Sequence, residues 1–461
     1  MNGGCILMRI IVVGDGKVGH ALAEELSKEH HDVTIIDNNS EVLKRSEDLL
    51  DVLCVQGNGA NAKTLLDAEA DKADIIIAAT ASDETNMLCC LIAKRLGAKY
   101  SIARIRDPEY NESLTLLKAE LGIDMTINPE RAAALEINKM LRFPFSGNIE
   151  SFAKGHVEMV EFRVQESDHI VGHPLHSLSL HCPTLPRVLY AAVERNGVVT
   201  IPNGSFVIQP GDRVYVAADM VTITSYFRHL GRNAHRVKSA LLLGGSRISF
   251  YLARMLASTG VSVKLVELSE KKARLLDESL PGVDVILGDG TDQELLEQEG
   301  IRDTDAFVAL MDRDEENLIT GLFAVHQQVN KVIVKSNHIT YADVIASMGL
   351  DNIVSPRSVT VDNILRYVRA RVNSHGTTVE KLYRLVGGKA EALEFIAKAG
   401  DPYIGIPLKD LTSRPGTLVA VIVRKGKVIV PFGNDHIEGG DSVVIISSES
   451  GISDLNEVIR K

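Results

Sequence analysis

A chain of 461 residues is long enough for about three or four ordinary domains. Its 45% hydrophobic and 24% charged residues exclude a disordered or unusually polar chain. The formal net charge of −11, from 50 Lys and Arg against 61 Asp and Glu, speaks against a wide nucleic-acid surface, and apolar stretches such as Ile75–Ala79 and Ala240–Leu243 are far shorter than the roughly 20 residues a membrane-crossing helix needs.

Met1 to Met8 lack the apolar segment of a secretory signal, and residues 1–7 read as an extension or an alternative start. A strand is predicted over Ile10–Val13, followed by a helix whose apolar residues Val18, Leu22 and Leu26 recur every four positions. Between them stands Gly14-Asp15-Gly16-Lys17-Val18-Gly19, a G-x-G-x-x-G turn. Its first glycine permits the tight turn, its second lets backbone approach a pyrophosphate, and its third lets helix and strand pack closely. The helix N-terminus then offers unpaired N–H groups to phosphates. A purely structural turn is the alternative.

Asp37 lies 23 residues after Gly14, at the end of the apolar run Val33–Ile36, where a carboxylate accepts hydrogen bonds from an adenosine ribose. The acid repels a 2′-phosphate, which favours NAD(H) over NADP(H) and equally permits ATP, ADP or AMP. Gly57-Asn58-Gly59 follows a third strand and would pass near the adenine. A fourth strand, Ala73–Ala79, ends in Thr80 and Ala81, with Asp83 and Asn86 as site residues or simple caps of the next helix. Arg104 closes a fifth strand, where its guanidinium would meet phosphate oxygens or form a salt bridge with an acid such as Asp107. Strands apolar on both sides and separated by helices describe a parallel sheet covered on both faces. A helix-like linker, Glu130–Leu141, is broken by Arg142-Phe143-Pro144-Phe145-Ser146-Gly147, a hinge or a plain connector.

Residues 157–219 have a different rhythm. Short strands alternate with an Asn196-Gly197 turn and Pro210-Gly211-Asp212, as in a small α+β module with a hairpin sheet. Such a module has a modest core and is expected to pack against a partner copy. His173 and His176 flank Pro174 and read as ordinary surface histidines. Cys5, Cys54, Cys89, Cys90 and Cys182 form no CxxC pair, which points to structural thiols in a reducing cytosol.

The whole pattern then repeats. Gly244 follows Gly14 by 230 positions, and Glu267 follows Asp37 by the same interval. Gly288-Asp289-Gly290 and Asp314–Asn317 repeat Gly57-Asn58-Gly59 and Asp83–Asn86 at an offset of 231. A second helix-like linker covers Ser358–Val372, and residues 393–447 repeat the small module. The fold expected is α/β: two Rossmann-like parallel-sheet domains at 8–141 and 236–372, each followed by a small α+β domain, at 142–225 and 373–461. The second turn departs from the first, since Gly244-Gly245-Ser246-Arg247-Ile248-Ser249 has serine at the second and third glycine positions, where a Cβ restricts backbone approach. Glu267 keeps the ribose position, Leu310 ends the fourth strand, and Lys335 takes the place of Arg104. A site of different geometry or a vestigial domain are the alternatives.

Walker A spacing, H-E-x-x-H and EF-hand loops are absent, and the small modules offer no catalytic dyad near a nicotinamide. Binding without turnover is expected, so the chain is not expected to be an enzyme. An NAD-dependent oxidoreductase and a non-catalytic assembly scaffold are the rivals.

The glycine turn, Asp37, Gly57-Asn58-Gly59, Ala79-Thr80 with Asp83–Asn86, Val171-Gly172-His173-Pro174-Leu175 and Pro210-Gly211-Asp212 together resemble the peripheral regulatory subunits of Trk-type potassium uptake systems, the TrkA family of tandem KTN/RCK units. The likeness runs over essentially the whole chain. It implies an RCK_N–RCK_C unit repeated twice, binding NAD(H) and/or ATP/ADP at the cytoplasmic face of the inner membrane. It also implies a homo-oligomer, a dimer or a tetrameric ring, under an integral membrane potassium-transporting subunit of the TrkH/TrkG kind, with no nucleic-acid partner. By position, Gly14–Val18, Asp37, Thr80, Ala81 and Arg104 would form a first site, and Gly244–Ile248, Glu267, Leu310 and Lys335 a second. Nucleotide binding would shift the angle between the two Rossmann-like domains through the Glu130–Leu141 linker.

Overall fold

The central aliphatic runs of the first domain, such as Ile75–Ala78, form strands because both of their faces are covered. In the computed structural model, which describes residues 7–107, 110, 120–142, 149–232, 237–337, 348–350, 352–374, 379–385, 389–449, 452 and 454–460, the strands of this domain are β1 (Arg9–Val13), β2 (Asp32–Asp37), β3 (Leu53–Gln56), β4 (Ile75–Ala78), β5 (Tyr100–Arg104) and β6 (Met125–Ile127). The sheet order is β3-β2-β1-β4-β5-β6, with parallel pairing throughout. Val13 pairs with Ile36 on one side and Ala78 on the other, so the chain order reverses about β1. In open α/β sheets the ligand crevice lies at that switch point, outside the carboxyl ends of the strands.

The second domain repeats the arrangement with β12 (Ser239–Leu243), β13 (Ser262–Glu267), β14 (Val283–Leu287), β15 (Ala306–Ala309), β16 (Lys331–Lys335) and β17 (Ile353–Val354), in the order β14-β13-β12-β15-β16-β17. Side chains start most of the helices: Asn39, Asn61 and Ser82 cap them in the first domain, and Ser246, Ser269 and Asp292 in the second. The two linkers are the helices Pro129–Arg142 and Pro356–Ser374. Phe143 to Gly147, the proposed hinge, lie outside the described residues.

The small modules are five-stranded antiparallel sheets. The first, β10-β9-β11-β8-β7, comprises β7 (Ile149–Phe152), β8 (Val157–Arg163), β9 (Leu189–Arg195), β10 (Val198–Thr200) and β11 (Arg213–Ala218). The second, β18-β19-β23-β21-β22, comprises β18 (Val379–Leu385), β19 (Ala390–Ile396), β21 (Thr417–Arg424), β22 (Lys427–Ile429) and β23 (Ser442–Ser447). A two-residue turn closes each β-hairpin, with φ of 52° and 78° at Asn196-Gly197 and 50° and 79° at Lys425-Gly426, the left-handed pair that matches strand twist. The Pro-Gly-Asp turn is held by charge: buried Asp212 receives two hydrogen bonds of 2.7 Å from Arg195, and Asp441 repeats this with Arg424.

The expected packing of one small module on the other is present. Along β11, Val214, Val216 and Ala218 face the module's own core, whereas Tyr215 and Ala217 join Ala392, Val421 and Val444 of the second copy. Phe152 meets Tyr383 edge-on with ring centroids 4.5 Å apart, and Ala153 N donates to Glu394 Oε2 at 3.0 Å. Burial on both faces explains why these strands read as near-continuous apolar runs. The chain divides accordingly into two compact units, one holding the two parallel sheets (Met1–Ile137, Ala240–Gln328, Val332–Val368) and one holding the two antiparallel sheets (Asn138–Ser239, Val329–Lys331, Arg369–Lys461). Among the described residues, no helix is long and apolar enough to cross a membrane. Cys89 and Cys90 are buried, while Cys54 and Cys182 are half-buried.

Candidate functional site

The first crevice opens at the carboxyl edge of β1 and β4 and encloses about 470 Å³, the size of a nucleotide pocket. Each glycine of the turn has its own physical requirement. Gly14 has φ +97°, and a Cβ there would lie 3.0 Å from the Thr80 backbone. A Cβ at Gly19 would lie 1.8 Å from Gly14 O, so the close packing of helix on turn forbids any side chain. A Cβ at Gly16 would meet nothing within 4 Å, and the turn is open there toward the crevice.

The helix Lys17–Lys28 begins at Gly16 with no side-chain cap, and its first internal bond runs from His20 N to Gly16 O at 2.9 Å. The N–H groups of Lys17, Val18 and Gly19 precede that bond and carry the positive end of the helix dipole. Asp37 is held in place by its own backbone: Oδ2 accepts Asp15 N at 2.7 Å and Oδ1 accepts Asn39 N at 2.9 Å. Each oxygen keeps a second lone pair for a ribose hydroxyl.

Thr80 and Arg104 are positioned by one buried amide. Asn86 Oδ1 accepts Thr80 N at 2.8 Å and Thr80 Oγ1 at 2.7 Å, while its Nδ2 donates to Thr80 O at 3.2 Å and Arg104 O at 2.8 Å. Asn86 therefore clamps the ends of β4 and β5 instead of capping its helix, the cap being Ser82. Asp83 likewise turns to the following loop, where its Oδ2 accepts Arg106 N and Asp107 N at 2.8 Å each. Arg104 lines the crevice with its Nη1 3.4 Å from Ala79 O, and its buried Nε has no hydrogen-bond partner. Burial pulls its pKa down, followed by the charge of Arg106, against the opposing pull of the Glu130 and Asp83 carboxylates. An open glycine, an uncapped helix start, an orphaned guanidinium N–H and a ribose acid fit an adenine nucleotide.

The structure distributes the candidate residues unevenly. Gly14, Gly16, Asp37, Asn58, Thr80, Ala81 and Arg104 form walls of the crevice, together with Thr85 of the repeated Asp83–Asn86 run and with Asn38 and Ser82, which no motif singles out. Lys17, Val18 and Gly19 form no part of the wall; they make up the first turn of the helix that starts at Gly16. The Asp15 side chain points elsewhere, 3% exposed and bonded to Ser46, because its turn directs it between two helices.

The second crevice encloses about 530 Å³ and differs at each phosphate-facing point. Ser246 Oγ caps its own helix by accepting Ser249 N at 3.2 Å, and Ser249 Oγ donates to Gly244 O, the carbonyl whose counterpart allows no Cβ at Gly19. Glu267 repeats the ribose acid, accepting Gly245 N and Ser269 N at 2.7 Å each. Asn317 repeats the clamp on Met311 and Lys335. By that register Leu310, which forms part of the wall, matches Ala79, while Met311 and Asp312 stand where the first domain has Thr80 and Ala81. Asp289, Asp312 and Glu316 add three carboxylates to Glu267, against Lys272 and Arg313. Arg247, Ile248 and Lys335 form no part of the wall: Arg247 is exposed, and Ile248 and Lys335 are buried, with burial lowering the Lys335 pKa.

Comparison with known proteins gives this geometry its family. The TrkA-N domain model matches residues 10–129 and 240–356, and the TrkA-C domain model matches 159–231 and 392–460. Trk system potassium uptake protein TrkA homolog 2 of Methanosarcina mazei is 32% identical over 98% of this chain and 100% of its own length. The chain belongs to the TrkA family. Another member, from Vibrio alginolyticus, is also 32% identical, over 98% of this chain and 99% of its own.

Both crevices lie in the TrkA-N segments, and the TrkA-C segments hold most of each antiparallel sheet, with β7 and β18 preceding them. The fold is shared with the GsuK RCK domain, at TM-score 0.61 and 17% identity over 97% of this chain and 93% of that one. It is shared equally with a GsuK channel bound to NAD, at TM-score 0.62 and 18% identity over 97% and 78%. Among the described residues, no group of three or more His, Cys, Asp or Glu side chains could hold a metal ion.

Proposed function

We propose that this TrkA family member is a peripheral regulatory subunit that binds NAD(H) or ATP/ADP without turning it over and sets the activity of an integral membrane potassium-transporting partner of the TrkH/TrkG kind. The observation that carries this is the first crevice itself, with Gly16 open, the helix uncapped and the Arg104 Nε unpaired opposite Asp37. The relatives named as potassium uptake proteins, and the GsuK channel solved with NAD, support the partner and the ligand class. Location at the cytoplasmic face, assembly into a dimer or tetrameric ring, and the domain boundaries expected from the repeat belong to the same proposal.

The two crevices are unequal. The first matches its acid with a guanidinium, whereas the second is acidic and self-capped and holds a phosphorylated ligand more weakly. Occupancy acts on gating only by favouring one conformation over another.

Calorimetry with ATP, ADP, NAD+ and NADH on the wild type, Gly16→Trp and Ser246→Trp tests the assignment, with potassium flux of the reconstituted partner as the second readout. Binding lost in Gly16→Trp and retained in Ser246→Trp is expected. Absence of binding by the wild type would leave an assembly scaffold, and steady NADH turnover with a small carbonyl substrate would leave an oxidoreductase.

A further inference from the structure

On the far side of the first phosphate turn lies a polar cluster that forms no part of the crevice walls. Asp15 is 3% exposed; its Oδ2 accepts the Ser46 hydroxyl at 2.6 Å, and its Oδ1 makes no hydrogen bond. His20 Nδ1 stands 2.8 Å from Ser46 Oγ and 3.4 Å from Asp15 Oδ1. The three residues come from the turn, from the helix it opens, and from the helix Ser40–Leu49 that follows the ribose acid. The His20 side chain is 22% exposed and can exchange protons with water, while that of Asp15 is fully covered.

Asp37 acts on Asp15 and raises its pKa further, although burial is the larger cause. Glu24 faces His20 from the same helix and is itself paired with Lys28 at 2.8 Å and near Arg357. From the other side, Glu47 and Asp15 both act on Cys54 of β3.

The second copy lacks the device altogether. Gly245, Phe250 and Leu276 stand 230 positions after Asp15, His20 and Ser46. No side chain fits at Gly245, since a Cβ there would lie 2.5 Å from Leu276 Cδ1 and 2.6 Å from Glu267 Oε2. Duplication has thus kept the ribose acid in both copies and a titratable cluster under only one.

Given nucleotide binding at the first crevice, we propose that His20 links that binding to protons, its charged form neutralising Asp15 beneath the phosphate turn and thereby tightening an anionic ligand there. When the imidazole is neutral, Nδ1–H donates to Ser46 Oγ, Ser46 donates to Asp15, and the carboxylate keeps its full negative charge. That charge sits in the residue whose N–H holds Asp37, so two carboxylates oppose the incoming phosphates. When the imidazole takes a second proton, at Nε2, the Nδ1–H that lies 3.4 Å from Asp15 Oδ1 belongs to a cation, and one of the two negative charges is offset. A unit charge change at this range in a partly solvated site alters affinity by roughly three- to tenfold.

NAD+ is the probe, because its pyrophosphate keeps a constant charge over the interval in which an imidazole titrates. Calorimetry at pH 6, 7 and 8 is expected to show wild-type affinity falling about three- to tenfold with rising pH. In His20→Gln the change is expected to stay under about twofold, with thermal melts at each pH showing the variant folded. The wild type needs no variant for a second measurement: titrations at pH 7 in buffers of different ionisation enthalpy must show net proton uptake on binding. A pH-independent wild type, no proton uptake, or an unchanged slope in His20→Gln overturns the proposal. Failure of NAD+ to bind at any pH is a separate result and refutes the dinucleotide assignment itself.

Discussion

The side-chain amide of Asn128 donates to the Tyr251 hydroxyl at 3.2 Å, joining the end of one parallel sheet to the helix that opens at the phosphate turn of the other. Asn128 also donates to Arg106 O at 3.0 Å and accepts Arg131 N at 2.8 Å. One residue therefore touches the segment just beyond Arg104, the start of the helix Pro129–Arg142, and the second domain. Tyr251→Phe removes only the hydroxyl. We expect a stability loss within about 1 kcal/mol and unchanged nucleotide affinity at the first crevice, with a weaker nucleotide response of potassium flux. A full response in the variant would exclude this contact as the link between the domains.

Gly16 and Gly19 separate binding from folding. A Cβ at Gly16 meets nothing within 4 Å, whereas one at Gly19 falls 1.8 Å from Gly14 O. Gly16→Trp should therefore fill the crevice and lower nucleotide affinity at least tenfold with little change in stability, an estimate of about 1.4 kcal/mol or more in binding. Gly19→Ala should cost about 1–3 kcal/mol of stability through backbone displacement. Calorimetry and urea unfolding on the two variants check the contrast.

Asn86 is fully buried and makes four hydrogen bonds to the ends of β4 and β5. Asn86→Ala strands the Thr80 N–H and the Arg104 carbonyl, and a loss of about 2–4 kcal/mol is expected in denaturant unfolding. Nucleotide affinity should fall with it, because Thr80 and Arg104 line the crevice. Asn317→Ala should destabilise by a similar amount and leave the first crevice's affinity intact.

Asp312 stands at the mouth of the second crevice where the first has Ala81. Asp312→Asn removes one of four carboxylates from that wall without removing a side chain. ADP affinity at the second crevice, measured in a Gly16→Trp background, should rise roughly threefold to tenfold, and the gain should shrink with salt. No gain at low salt would show that the Ser246 cap, and not charge, limits the site.

The thiols of the first domain should be inert. Burial pushes Cys54 up to about 11 and Cys89 up to about 12, against an ordinary value near 9. At pH 8 only ~0.1% of Cys54 is then thiolate, and its alkylation rate should rise about tenfold per pH unit until near pH 11. Mass mapping after iodoacetamide treatment of the native and urea-unfolded chain gives the comparison. Rapid native labelling at Cys89 would contradict its burial.

The duplication, the alternation of apolar strands and helices, the glycine turn and the ribose acids are all visible in one dimension. Each rests on spacing: the Val18, Leu22 and Leu26 stripe needs only helical periodicity, and Asp37 needs only its distance from Gly14. Asn86 was visible as a repeated residue, yet its role as clamp was not, because its partners Thr80 and Arg104 come from two strands that only the sheet brings together. Asp312 stands 231 positions after Ala81, but its place in a wall with Glu267 follows only from the strand order. Arg247, Ile248 and Lys335 were placed in a site by analogy with the first copy. The fold buries Ile248 and Lys335 and leaves Arg247 exposed, and none of the three lines the crevice.

The sequence alone determined that there are two crevices of Rossmann type, one glycine-complete and one serine-substituted, since backbone conformation at a turn depends on the residues of the turn. Only the tertiary structure decided what those differences mean. It showed that Ser246 Oγ takes up the Ser249 N–H at the helix start, a donor a phosphate would use, that Arg104 Nε has no partner among the described residues, and that the second wall is acidic. It also showed that Asp15, one position along from Gly14, belongs to a buried cluster with His20 and Ser46. Hydrogen-bond partners and counter-charges are set by distance in space, and residues 31 apart in the chain, such as Asp15 and Ser46, become neighbours only once two helices pack on the same face of the sheet.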